Sequence, residues 1–383
     1  MAKFSFAKIS RPVIREVFPR KRLFSILERT RASPVVWLSG PAGSGKTTLI
    51  ASYLDARKLP CLWYQVDERD SDIASFFYYL GLAVKKASPR FRKPLPLLTP
   101  EYLMGIPVFT LRFFENLYGR LKPPFFIVFD NYHQIDLDSP FHEVILNGIS
   151  AVPEGVNVIL ISRREPPPAF GRLHAHSQMK FLGWNELRFT LEESKNVVCS
   201  RIPGLRQKEI VERFHQIANG WVAGLILISD AMRRGIRFES FEKMMPEEIV
   251  NYFGSVIFSK TKEEVQAFLM KTAFLPRMTV KMSEELTGLT IAGAILSGLI
   301  RNNSFIEQHL SAEPVYQYHP LFRNFLLSQA KERLSPDTIS DLNHRASLLL
   351  EESNLTEEAA QIYMDQKNWE ELTRLIMKHG GCL

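Results

Sequence analysis

Two short stretches of this sequence hold the residue types needed to grip phosphate and a divalent cation. The run Gly40-Pro41-Ala42-Gly43-Ser44-Gly45-Lys46-Thr47 satisfies the pattern G-x-x-x-x-G-K-[ST]. Glycines there let the backbone curl so that successive N–H groups point inward at phosphate oxygens, and a following helix adds its positive end. Residues Pro41 to Thr48 form that cradle. Lys46 would reach the β- and γ-phosphates of a nucleotide, and the Thr47 hydroxyl would ligate Mg²⁺. Phe125-Phe126-Ile127-Val128-Phe129-Asp130 is an apolar run ending in an acid, the Walker B pattern, in which Asp130 holds Mg²⁺ through water. The next residue is Asn131, where hydrolysing ATPases often carry a second carboxylate. An asparagine can orient water but cannot take its proton, so turnover is expected to be slow or absent.

These groups need a sheet to hold them. Val35-Val36-Trp37-Leu38-Ser39 reads as a buried strand leading into the phosphate loop, and Thr48 to Leu54 as the helix leaving it. Cys61 to Val66 reads as a second strand, followed by an amphipathic helix from Asp72 to Lys86. Asp67, at the end of that strand, is either a substitute carboxylate or a turn residue. Residues 88–100 are proline-rich and read as a loop, and Phe109 to Leu121 as a helix. Val156 to Ser162 is a further strand, delivering Arg163 and Arg164 at its carboxyl end. An arginine there can report a γ-phosphate; otherwise the pair is a basic turn before three prolines. A fifth strand runs from Gln178 to Leu182. One strand lies between the phosphate-loop strand and the Asp130 strand, which points to the additional-strand class of P-loop NTPases. The expected fold is α/β, with a parallel sheet ordered 5-1-4-3-2 and helices on both faces.

The 383 residues exceed one ordinary core, and their apolar content of 45% and charged content of 23% are those of a globular chain. A net charge of +7, spread along the chain, permits acidic partners without arguing for them. Cys61, Cys199 and Cys382 lie far apart, with no zinc or disulfide spacing, and His174-Ala175-His176 lacks a nearby third ligand. With no apolar leader and no long apolar stretch, a cytoplasmic location is expected.

From Thr190 onward the pattern is helical, and residues 262–333 read helix, helix, helix, strand, strand, helix, the order of a winged helix. Its third helix, Ile291 to Ile300, lacks the Arg, Asn and Gln that read base edges, so it reads as a packing module. The last fifty residues look like the start of a helical, TPR-like repeat array that the chain leaves after its first repeats. The expected organisation is an N-terminal nucleotide-contacting segment (1–34), a P-loop domain (35–190), a helical arm (191–258), a winged helix (259–336) and the first repeats (337–383).

Several short sequences, in this order, resemble the STAND class of P-loop NTPases, specifically the nucleotide-binding and oligomerisation module of MalT-like, LuxR-family transcription activators. They are Phe18-Pro19-Arg20-Lys21-Arg22-Leu23, the phosphate loop, Asp130-Asn131-Tyr132-His133, Ser162-Arg163, Leu187-Arg188-Phe189, Asn219-Gly220-Trp221-Val222-Ala223-Gly224-Leu225, and Tyr318-His319-Pro320-Leu321-Phe322. The resemblance implies an ADP/ATP switch. ADP would lock a closed monomer, ATP plus an inducer would open it for self-association, and slow hydrolysis would reset it. It implies that Arg20 belongs to a nucleotide-contacting element, that Trp221 and Gly224 mark an arm packed near the nucleotide, and that His319 touches the ADP β-phosphate. Inducer and DNA would be bound by domains beyond Leu383. The alternatives are a conventional turnover ATPase, a phosphotransferase, or a scaffold that has lost nucleotide.

Overall fold

A computed structural model describes residues 7–14, 17–90, 93–205, 207–235, 246–309 and 313–379. The chain divides into two compact units, residues 1–196 and 197–383, with the boundary inside one helix.

In the first unit, five strands are β1 (Val35–Ser39), β2 (Cys61–Gln65), β3 (Phe125–Asp130), β4 (Val156–Ser162) and β5 (Met179–Leu182). They form one sheet in the order β2-β3-β4-β1-β5, every pair parallel. This is the order expected from the sequence, seen from the other edge. β1, β3 and β4 are buried along their whole length, which is why they read as continuous apolar runs rather than alternating ones. Alternate residues still serve different faces. Trp37, Leu62, Tyr64, Ile127, Phe129, Val158 and Leu160 belong to one core. Val36, Leu38, Trp63, Phe126, Val128, Ile159 and Ile161 belong to the other.

The helices follow from what those faces need covered. α1 (Lys21–Thr30) and α2 (Lys46–Ala56) supply Leu23, Leu27, Leu49, Ile50 and Tyr53 to the second core. α3 (Ile73–Ala87), α4 (Ile106–Tyr118) and α5 (Phe141–Ser150) supply Phe76, Phe77, Phe113, Phe141 and Ile145 to the first. α4 begins three residues before its expected start because Pro107 sits in its first turn, where no N–H is required. α5 has no counterpart in the sequence reading: Pro140 precedes it and no side chain caps its start. Two short helices, α6 (Gly171–Ala175) and α7 (Trp184–Leu187), flank β5, and α8 (Leu191–Arg201) carries the unit boundary.

The second unit opens with α9 (Lys208–Ala218), α10 (Val222–Arg233) and α11 (Glu247–Val256). α10 ends in a basic run, Met232-Arg233-Arg234-Gly235-Ile236-Arg237, whose last two residues lie outside the described residues. The winged helix follows as α12 (Glu263–Thr272), α13 (Val280–Thr287), α14 (Ala292–Arg301), the antiparallel hairpin β6 (Ile306–His309) and β7 (Val315–Tyr318), and α15 (Pro320–Arg333). α16 (Pro336–Glu352), α17 (Thr356–Asp365) and α18 (Trp369–His379) complete a helical C-terminal region. There the buried Glu351 accepts from Tyr363 at 2.6 Å and from Arg374 at 2.5 Å.

Among the described residues no helix is long and apolar enough to cross a membrane.

Trp221 is fully buried among aromatic rings: stacked on Phe253 at 5.3 Å and edge-on to Tyr252 and Phe305 at 5.1 and 5.0 Å. Its ring lies over Gly224, one turn further on, where an added Cβ would stand 2.4 Å from Trp221 Cε3 and 3.1 Å from Leu321 Cδ1. Gly224→Ala should therefore destabilise the protein by about 1–3 kcal/mol, overpacking outweighing the gain in helix propensity. Gly298→Ala, in α14 with open space around it, should leave thermal unfolding unchanged or raise its midpoint. Equal midpoints for the two variants would contradict this packing.

Candidate functional site

Parallel pairing brings the carboxyl ends of β1, β3 and β4 side by side, and the loops leaving them enclose a cleft of about 250 Å³. It is lined by Ala42 to Thr48, by Asp130, Asn131 and His133, and by Ile161, Ser162 and Arg163. All the residues predicted from the phosphate-loop, Asp130 and Arg163 stretches thus converge, save Pro41, whose carbonyl lies just behind. Gly43 and Gly45 have φ of 71° and 81°, the left-handed conformation that the pattern's glycines supply. Gly45 is also the N-cap of α2, so the helix presents its unpaired N–H groups and positive end to the cleft.

Lys46 is buried and folded along the loop, donating to the carbonyls of Gly40 and Pro41 at 2.7 and 2.9 Å and to Ser44 Oγ at 3.1 Å. Burial, with the nearby Arg163 charge, lowers its ammonium to about 7, and Asp130 only partly compensates. Two cations are thus held close enough to oppose each other. The Thr47 hydroxyl donates to both oxygens of Asp130, at 3.1 and 3.0 Å, and the Asn131 N–H donates to Asp130 Oδ1 at 2.9 Å. Burial raises the Asp130 carboxyl despite those bonds. Asn131 has φ 62°, a conformation asparagine tolerates, and starts a 3₁₀ turn over Tyr132–Gln134.

The chemistry of this lining is specific. Two cations, a helix N-terminus and loop N–H groups suit an oligophosphate. The adjoining hydroxyl and carboxylate suit a hard divalent cation such as Mg²⁺.

The remaining candidates have their own settings. Asp67 caps a 3₁₀ turn, accepting from Arg69 N at 3.1 Å, and pairs with Lys8 at 2.7 Å. The turn reading of Asp67 is therefore the one its contacts support. Arg20 is buried in the first unit. Its guanidinium donates to the Leu187 carbonyl at 2.6 Å, the Arg188 carbonyl at 3.0 Å and Glu193 at 3.0 Å, and lies 4.0 Å over the Phe189 ring. Burial pushes the Glu193 carboxyl up, but the Arg20 hydrogen bond overrides it and holds the group low. A Cβ on Gly40 would meet Leu187 Cδ1 at 3.3 Å, so this clamp backs the first residue of the phosphate loop. Glu193 and Leu187 carried no role in the sequence reading; only the finished fold shows what Arg20 grips.

In the second unit, Trp221 and His319 do come together, their rings 6.0 Å apart. The Asn219-Gly220 turn, both residues at positive φ, exposes the Ala218 carbonyl to two donors: Trp221 N at 2.7 Å and His319 Nε2 at 2.8 Å. His319 Nδ1 is buried and has no hydrogen-bond partner among the described residues. Burial lowers the ring to about 4.

Residues 255–338 match the family model described as the MalT winged helix domain. The chain is 28% identical, over 337 residues, to the HTH-type transcriptional regulator MalT of Serratia proteamaculans, covering 86% of this chain and 37% of the relative. It is 26% identical to the MalT regulator of Cronobacter sakazakii, covering 89% of this chain and 38% of that one. The chain therefore spans well under half the length of these curated relatives. Its fold is similar to that of the Walker-type ATPase of Pyrococcus abyssi, with a TM-score of 0.57 at 16% identity over 81% of this chain and 96% of that one.

Because His319 is neutral when folded and takes up a proton near 6.5 when unfolded, the unfolded state binds more protons below that pH. Its contribution to stability is complete above 6.5 and is lost as pH falls toward 4. Between pH 7 and 5, wild-type protein should lose about 2 kcal/mol more unfolding free energy than His319→Leu, read by denaturant titration. Parallel losses in the two proteins would contradict the buried neutral imidazole.

Proposed function

Proceeding from a chain similar to MalT-type transcriptional regulators over most of its length and carrying their winged helix domain, we propose that it is the nucleotide-sensing switch of such a regulator. The observation that carries this reading is the convergence of Lys46 and Arg163 beside the Thr47–Asp130 pair, at the N-terminus of α2. A cleft that forces two cations together is stabilised by whatever anion neutralises them. Adenine nucleotide, ATP or ADP, with Mg²⁺ is the ligand we assign. The loop N–H groups from Ala42 to Thr48 and Lys46 would hold its phosphates. Thr47 and Asp130 would hold the metal, which offsets phosphate charge when bound.

Asn131 supports a switch over a turnover enzyme. A carboxamide orients water without accepting its proton, so chemistry would serve as a slow reset. Roles for His319 and Trp221 toward a diphosphate are proposed on the likeness to the MalT regulators alone. With Nε2 donating to Ala218, the imidazole would need a proton on its orphaned Nδ1 to donate to a phosphate. Self-association in the ATP state, an inducer, and DNA contacts made by further parts of a longer regulator are proposed on the likeness to the MalT regulators, as is a cytoplasmic site of action. The alternative, a conventional ATPase, would need a general base at the position Asn131 occupies.

Lys46→Ala should abolish nucleotide retention, read by calorimetric titration with ADP and with ATP plus Mg²⁺. The wild-type melting temperature should rise with saturating nucleotide while that of the variant stays flat, because ligand stabilises only the form that binds it. Full nucleotide binding by Lys46→Ala would contradict the assignment.

A further inference from the structure

His133 carried no assigned role in the sequence, although it stands in the cleft with Lys46, Thr47 and Asp130. The 3₁₀ turn after Asp130, closed by Gln134 N donating to the Asn131 carbonyl at 3.0 Å, swings its ring toward the neighbouring strand end. There His133 Nδ1 accepts from the backbone N–H of Arg163 at 3.4 Å. The Arg163 turn is anchored on its other sides by β1. Ser39 Oγ donates to the Arg163 carbonyl at 3.4 Å, and Trp37 Nε1 donates to the Arg164 carbonyl at 3.1 Å. The turn that carries His133 is itself fixed from behind. Tyr132 is buried, its hydroxyl 3.0 Å from His142 Nδ1 and its ring edge-on to Trp37 at 5.2 Å.

Two consequences follow. An imidazole whose Nδ1 accepts from a backbone N–H holds its proton on Nε2, so His133 as placed is not a general base. Its contact instead joins the metal-binding strand end to the backbone from which the Arg163 side chain enters the cleft. The loop N–H groups and Lys46 belong to β1 and α2, so a shift of the Arg163 turn would leave them in place.

We propose that His133 is a positioning residue that sets the preference of this cleft for a nucleoside triphosphate over a diphosphate, by fixing the Arg163 turn against the Asp130 strand. This rests on the nucleotide reading above. Phosphates nearest α2 are held by the loop, whereas the terminal phosphate is the one an arginine arriving from β4 can distinguish.

The test is equilibrium binding of ADP and of a non-hydrolysable ATP analogue, both with Mg²⁺, to the intact wild-type chain and to His133→Ala, His133→Asn and Arg163→Ala. His133→Ala should lose roughly fivefold to tenfold in triphosphate affinity, with diphosphate affinity within about twofold of wild type. His133→Asn, whose carboxamide oxygen can accept the Arg163 N–H, should recover most of the loss. Arg163→Ala should show the same selective loss, and adding His133→Ala to it should change little. A His133→Ala protein with wild-type discrimination, or one that loses both nucleotides equally, would overturn the proposal while leaving the nucleotide site intact. Wild-type protein that binds neither nucleotide would overturn the nucleotide reading and this proposal together.

Discussion

Confinement of like charge at the end of a buried sheet is the constraint on which the first unit depends. Lys46 is inside the protein, hydrogen-bonded to its own loop, and Arg163 approaches it from the next strand. Desolvating an ammonium beside another cation is costly unless something negative can be recruited. Asp130 supplies part of that, but its oxygens are already engaged by Thr47 and by the Asn131 N–H. Among the residues that line the cleft, two cations therefore face a single carboxylate. Everything that makes it so is backbone architecture: parallel strands with adjacent carboxyl ends, left-handed glycines in the loop, and a helix starting at Gly45.

Rigid supports surround this centre. The Arg20 clamp fastens residues 187–193 and, through Leu187, backs Gly40. Removing one member of such a buried pair leaves the other charge stranded, so the clamp acts as a unit. The Trp37, Tyr132 and Phe170 rings pack edge-on behind the strand ends and keep the turns after β3 and β4 in fixed register. In the second unit a comparable aromatic cluster around Trp221 seats His319 in a dry setting, where its charge state depends on what it meets. Both units thus place an ionisable or charged group in low dielectric, the arrangement that makes a protein responsive to the arrival of an anion.

Much of this was legible in the sequence because the residues that matter are locally spelled. Gly40 to Thr47 needs its glycines at fixed offsets, and a strand ending Phe129-Asp130 announces both burial and the acid. The sheet order followed from counting strands, and the winged helix from the order of its elements. What stayed hidden depends on contacts between distant segments. The partner of Arg20 could not be read, because nothing in residues 18–23 reveals Glu193, 173 positions away. The contact of His133 stayed hidden, because the closeness of β3 and β4 ends is a property of the sheet. α5 escaped notice because its start lacks a capping side chain, and α4 was misplaced by a proline that fits only a first turn.

The most direct measurement is to denature purified protein and identify any nucleotide released, by chromatography against standards. The account predicts near-stoichiometric adenine nucleotide, retained through purification without added nucleotide, as befits a cleft in which anion binding relieves buried positive charge. A protein that releases none, and that afterwards binds ATP only weakly while hydrolysing it steadily, would contradict a switch and demand a proton acceptor in the place of Asn131.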